Sequence, residues 1–97
     1  MHFLITAYDG KDDGAPARRQ AARTEHLENA ARLYEAKQLV SASAIMNEAG
    51  VMIGSSLIVD FPDRAAAEVA AKADPYVKHG VWQDIRIDAI RMAYGAR

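Results

Sequence analysis

The chain orders itself as strand, helix, strand, strand, helix, strand. This order predicts an α+β fold of ferredoxin-like βαββαβ type, a four-stranded antiparallel sheet with two helices on one face. Three observations carry the prediction. "HFLITAY" is dense in strand formers and is closed by the turn signal "DGKDDG". "APARRQAARTEHLENAARLYEAKQ" has almost no β-branched residue and many helix formers. "LVSASAIM", "NEAG" and "VMIGSSLIVDF" follow as strand, turn and strand.

Strand one is expected over Met1 to Tyr8. Helix one is expected from about Pro16 to Lys37, with an apolar stripe at Leu27, Ala30, Ala31 and Tyr34. Arg23 falls in line with that stripe and His26 lies at its flank. Asn47 to Gly50 makes the hairpin between strands two and three. The run Leu57, Ile58 and Val59 implies that strand three is covered on both faces. "PDRAAAEVAAKA" is the second helix, about 63–73, with Asp63 as N-cap. Its close-packing side is expected at Ala66, Val69, Ala70 and Ala73. "VWQDIRIDAIRMAY" reads as the last strand. Ile85 and Ile87 alternate in one phase, Ile90 and Met92 in the other, so a bulge or bend is expected near Asp88 and Ala89.

Bulk properties narrow the function. A chain of 97 residues reads as a single domain, 1–97. At this length folding buries roughly 60–65% of the unfolded surface, so one protomer has a thin core. With 51% hydrophobic residues, and a sheet face left free of helices, a homodimer is expected. Twelve basic residues against thirteen acidic ones give no general pull on nucleic acid or an anionic membrane. There is no cysteine, which excludes thiol catalysis and disulfides. The N-terminus lacks a basic start and a long apolar run, so neither a signal peptide nor a membrane span is expected. A cytoplasmic location follows.

"RTEHL", "IGSSLIVDF" and "ADPYVKHGV" are the stretches where chemistry can concentrate. They span Arg23 to Leu27, Ile53 to Phe61 and Ala73 to Val81. In these stretches, their spacing and their element order, the chain resembles the YciI-like (YCII-related) family over nearly its whole length. The resemblance implies a ferredoxin-like protomer in a dimeric α+β barrel. It implies a His–Asp pair in a pocket, at His26 and Asp74. It also implies pocket roles for Arg23 and for Gly54, Ser55 and Ser56. Ser43 and Ala44 stand where relatives often carry Gly-Pro.

The residue types fit such roles physically. A histidine transfers protons at neutral pH, and a carboxylate fixes its tautomer. Asp74 has a structural use as well. Asp at an N-cap before Pro75 opens a helical turn over Tyr76 to His79, which Gly80 would end. An N-cap carboxylate keeps lone pairs free for an imidazole, so the two uses are compatible. Arg23 suits an anion. Gly54 would allow a ligand close to the backbone, and of Ser55 and Ser56 only one can face the pocket. Tyr34, Tyr76 and Trp82 are candidate apolar walls. His79, near Asp74 in sequence, is a rival partner for it.

The acidic loop residues Asp9, Asp12 and Asp13 lack EF-hand spacing, and three scattered histidines make no zinc pattern. Neither metal nor cofactor is expected. The favoured expectation is a small-molecule enzyme using His26 and Asp74 as an acid/base pair on a small anionic or enolic substrate, of isomerase, lyase or dehalogenase type. The alternative is a dimeric module that binds a metabolite, or haem through His26, without turnover.

Overall fold

The computed structural model describes residues 1–95. Seven elements follow one another: β1 (His2–Asp9), α1 (Ala15–Glu35), β2 (Leu39–Met46), β3 (Met52–Asp60), α2 (Arg64–Lys72), the single turn α3 (Pro75–Lys78) and β4 (Trp82–Ile90). The sheet order is β2-β3-β1-β4, and every neighbouring pair is antiparallel. Phe3, Ile5 and Ala7 of β1, with Leu57 and Val59 of β3, are buried in one core with Ala22 of α1 and Ala67 and Ala71 of α2. The fold is the ferredoxin-like one expected from the element order.

Local chemistry sets the boundaries. Helix α1 starts one residue before Pro16, which takes an early position where a missing N–H costs nothing. It stops two residues short of Lys37 because Lys37 adopts a left-handed conformation, φ 62°. Gln38 N–H then bonds the Leu33 carbonyl at 2.8 Å, and Lys37 N–H bonds that of Tyr34 at 3.0 Å. This is a Schellman closure built without glycine. Asp63 caps α2 by accepting from Ala66 N–H at 2.9 Å.

The buried faces of both helices differ in part from the sequence expectation, which holds at Ala30, Ala66 and Ala70, half-buried against the core. Helix α1 buries Ala15, Arg19, Ala22 and His26. Leu27 is 50% and Tyr34 62% exposed, and Ala31 is exposed as well. Two polar residues lie in the buried stripe, and apolar periodicity passes over such positions. Helix α2 buries Ala67 and Ala71, while Val69 is exposed. A run this rich in alanine offers little contrast, and Val69 alone misplaces the face by one residue.

Strand β4 also corrects the expectation. Its ladder with β1 is regular from Asp84 to Ile90, so no bulge occurs at Asp88 and Ala89. The strand ends before Met92, and Ile90 sits half-buried on the helix-free face. The irregularity lies at the other end: Tyr8 pairs with Asp84 but Asp9 pairs with Trp82. Gln83 is the extra residue. In a regular ladder Trp82, three residues before Ile85, would fall on the opposite face from it. With the bulge, the indole joins Asp9 on the helix-bearing side, a re-aiming that bulges perform.

The helix-free face is mixed, not apolar. Leu4, Thr6 and Tyr8 lie beside Asp84, Arg86 and Asp88, with Ser56 and Ile58 on the neighbouring strand. Leu57 and Val59 are covered by the helices, and Ile58 is only half-buried.

Candidate active site

The short helix α3 is tied at both ends. Asp74 Oδ1 accepts from Tyr76 N–H at 2.8 Å, and Pro75 opens the turn. Gly80 closes it with φ 71°, the left-handed conformation that glycine adopts without strain. Val81 N–H bonds the Tyr76 carbonyl at 2.8 Å, and Gly80 N–H that of Val77 at 3.1 Å. This second Schellman closure fixes the directions of Asp74 and Tyr76.

Across from it, α1 presents His26. Its Nδ1 lies 2.7 Å from Asp74 Oδ1, and both side chains are buried. One carboxylate oxygen therefore serves the cap and the imidazole together. With Nδ1–H donating to the carboxylate, the neutral ring keeps its lone pair on Nε2. The imidazole stacks on Tyr76, centroids 3.8 Å apart and planes 6° from parallel. Trp82 meets both rings edge-on, at 5.6 Å and 5.7 Å. Burial raises the pKa of the Tyr76 hydroxyl, so it stays a neutral phenol.

A second polar assembly adjoins the first. Arg19 Nη1 donates to both carboxylate oxygens of Asp9 at 3.0 Å. Its Nη2 donates to Ser55 Oγ at 3.2 Å, and its guanidinium lies 4.9 Å over the Tyr76 ring. Trp82 Nε1 donates to the same Ser55 oxygen at 3.1 Å. Sequence reasoning missed Arg19 as a site residue and left Asp9 as a loop acid. The available signal was spacing. Arg19, Arg23 and His26 follow at four and three residues, which places them on one helix face.

These groups border an open cleft of about 190 Å³ between α1 and strands β2 and β3. Arg19, Arg23, His26, Ser55 and Tyr76 line it, with Leu27, Met52, Leu57 and Ala42 to Ala44 supplying much of the rest. Arg23 reaches Met52 Sδ at 3.9 Å and, among the described residues, pairs with no carboxylate. The cleft is smaller than the roughly 300–1,000 Å³ of sites for drug-sized ligands.

The remaining sequence candidates lie elsewhere. Ser56 pairs with Thr6 on the helix-free face, so Ser55 is the serine at the cleft. Gly54 does not line the cleft. A Cβ there would stand 2.5 Å from the Ala7 carbonyl oxygen, so the glycine admits the protein's own strand and not a ligand. Tyr34 is exposed and walls nothing at this site. His79 Nε2 lies 3.2 Å from Glu25 on the surface, away from Asp74. In the acidic loop, Asp12 takes a two-pronged bond from Arg18, which holds its carboxyl down at about 2. Among the described residues, no group of three or more His, Cys, Asp or Glu side chains is placed to hold a metal. Among the described residues, no helix is long and apolar enough to cross a membrane.

Comparison with known proteins agrees with this architecture. The chain is 28% identical to protein YciI of Escherichia coli O6:H1, over 97% of this chain and all of that one. Among solved structures, it is similar to the 5-chloro-2-hydroxyhydroquinone dehydrochlorinase TftG of Burkholderia phenoliruptrix, in complex with 2,5-dihydroxybenzoquinone. That match has a TM-score of 0.80 and 20% identity, over 94% of each chain. An antibiotic biosynthesis monooxygenase matches more distantly, with a TM-score of 0.51 and 15% identity, over 94% of this chain and all of the other. Residues 1–91 match the profile of the YCII-related domain, and the chain belongs to that family.

Proposed function

We propose that this chain is a small-molecule enzyme whose acid/base pair is His26 and Asp74, acting on a small anionic or enolic substrate. The observation that carries the reading is the 2.7 Å bond between them at the wall of a cleft. Nε2 takes a proton from a carbon or hydroxyl beside a carbonyl group. Asp74 holds the ring and stabilises the imidazolium that forms. Arg23, which has no carboxylate partner among the described residues, binds the substrate's anionic group. Return of the proton to another atom gives isomerisation. Departure of a leaving group instead gives elimination or dehalogenation. The dehydrochlorinase of similar fold fits the second course, as analogy between folds.

No observation in the site favours the haem reading: His26 Nδ1 is engaged by Asp74 and the cleft is small. The functional unit is proposed to be a homodimer formed through the helix-free sheet face.

The test is a thermal-shift screen of small anionic and enolic carbonyl compounds, followed by turnover assays on the hits. A ligand at 100 times its Kd adds about 2.7 kcal/mol of stability. His26→Ala and Asp74→Asn should bind a hit but turn it over far more slowly. Turnover at the wild-type rate in both variants would sink the proposal.

A further inference from the structure

The Ser55 hydroxyl has one hydrogen to donate and two lone pairs to accept with. Both lone pairs are taken, one by Arg19 Nη2 at 3.2 Å and the other by Trp82 Nε1 at 3.1 Å. Neither partner can reverse the bond, because guanidinium and indole nitrogens only donate. The hydroxyl hydrogen must therefore point elsewhere, and no acceptor takes it among the described residues. Ser55 is 3% exposed, yet it lines the cleft beside His26 and Arg23.

We infer that Ser55 is a locked hydrogen-bond donor aimed at the ligand, and that the cleft recognises a carbonyl or enolate oxygen at this point. The Arg19 charge pulls on the Ser55 oxygen and makes its hydrogen a stronger donor. If His26 removes a proton next to a carbonyl, negative charge gathers on that oxygen. A preset donor stabilises such charge without reorganising. This step rests on the acid/base reading of His26 and Asp74. The donor assignment rests only on the hydrogen bonds around Ser55.

Ser55 differs from a nucleophilic serine. Its oxygen lone pairs are occupied, and its hydrogen-bond partners are two donors and no base. Arg19 and Trp82 are positioning residues that act through it. The bulge at Gln83 is what brings the indole to Ser55.

Trp82 is the only tryptophan of the chain, so the protein carries a single indole N–H resonance. A ligand that accepts from Ser55 makes the Ser55 oxygen a better acceptor for that indole. The probe is 2,5-dihydroxybenzoquinone, which carries carbonyl and acidic enolic oxygens on one ring. On titration into the whole 15N-labelled protein, the indole resonance should move downfield in step with binding. Ser55→Ala should bind the probe at least about tenfold more weakly. Ser55→Thr, which keeps a hydroxyl, should retain most of the affinity. An indole resonance unmoved at saturation overturns the inference and needs no variant to fold. So does Ser55→Ala binding as tightly as wild type, or wild type failing to bind the probe. Asp74→Asn separates the two readings. Full turnover in that variant, with the indole shift intact, removes the acid/base proposal and leaves the Ser55 donor standing.

Discussion

The Tyr76 ring packs against both the imidazole of His26 and the guanidinium of Arg19. His26 stacks on it at 3.8 Å, and Arg19 sits over it at 4.9 Å. The two residues are seven apart on α1, about 10.5 Å along the helix axis. That rise leaves room for one flat ring to meet both. Tyr76 therefore holds His26 in the plane that its bond to Asp74 requires.

Tyr76 titration gives the first prediction. Burial raises its pKa above the ordinary 10.0. Between the two values the folded state holds a proton that the unfolded state has released, so stability falls as pH rises above about 10. Denaturant midpoints in Tyr76→Phe should fall less over the same range. A variant with the wild-type alkaline slope would place the ionisation elsewhere.

Asp74 separates two jobs by substitution. Asn is as good an N-cap as Asp, so Asp74→Asn should keep most of the stability and lose most of any turnover. Asp74→Ala should lose both. The cap costs about 1 kcal/mol, and the stranded imidazole N–H adds about 1–3 kcal/mol. Chemical denaturation of the two variants measures the difference.

Gly54→Ala should destabilise by more than a surface change, by about 1–3 kcal/mol. The added methyl meets the Ala7 carbonyl at 2.5 Å and the Tyr8 ring at 3.2 Å. A variant melting with wild type would show that β1 and β3 can part at little cost.

Lys37→Gly should stabilise by about 0.5–1 kcal/mol, because Lys37 holds φ 62° at the end of α1. The expected rise in Tm is about 2–8 °C. An unchanged or lowered Tm would show that the entropy glycine adds to the unfolded chain wins.

Sedimentation tests the homodimer. The helix-free face leaves Leu4, Ile58 and Ile90 half-buried in one protomer. Pairing two such faces predicts a species of twice the 10.6 kDa chain mass at micromolar concentration. Leu4→Arg should reduce that mass to one chain. A wild-type monomer would remove the proposal.

The sheet and both caps were legible because they follow local rules. Asp63 and Asp74 precede their helices as caps do, and Gly80 follows α3 as a terminator does. The second polar assembly was not legible, for a physical reason. Arg19 and Asp9 read as solvated charges one at a time. Only the fold brings them to 3.0 Å, and only a buried setting makes their pairing necessary. Helix α1 was misread for the same cause. Its core stripe carries Arg19 and His26, so a search for apolar spacing moved to Leu27 and Tyr34, which are exposed. The bulge at Gln83 left no mark in the strand's alternation. The Ile90 phase change was visible, and it records only a half-buried residue on the other face.

The bonds that build the cleft are long-range along the chain: 36 residues from Arg19 to Ser55, 48 from His26 to Asp74, 27 from Ser55 to Trp82. Every one of them closes a large loop, whose entropic cost is met before the contact is rewarded. A nascent chain has no part of the indole bond until β4 has been made and paired. Ligand binding is thus a property of the finished molecule. A ligand added during refolding should leave the folding rate unchanged and slow only the unfolding.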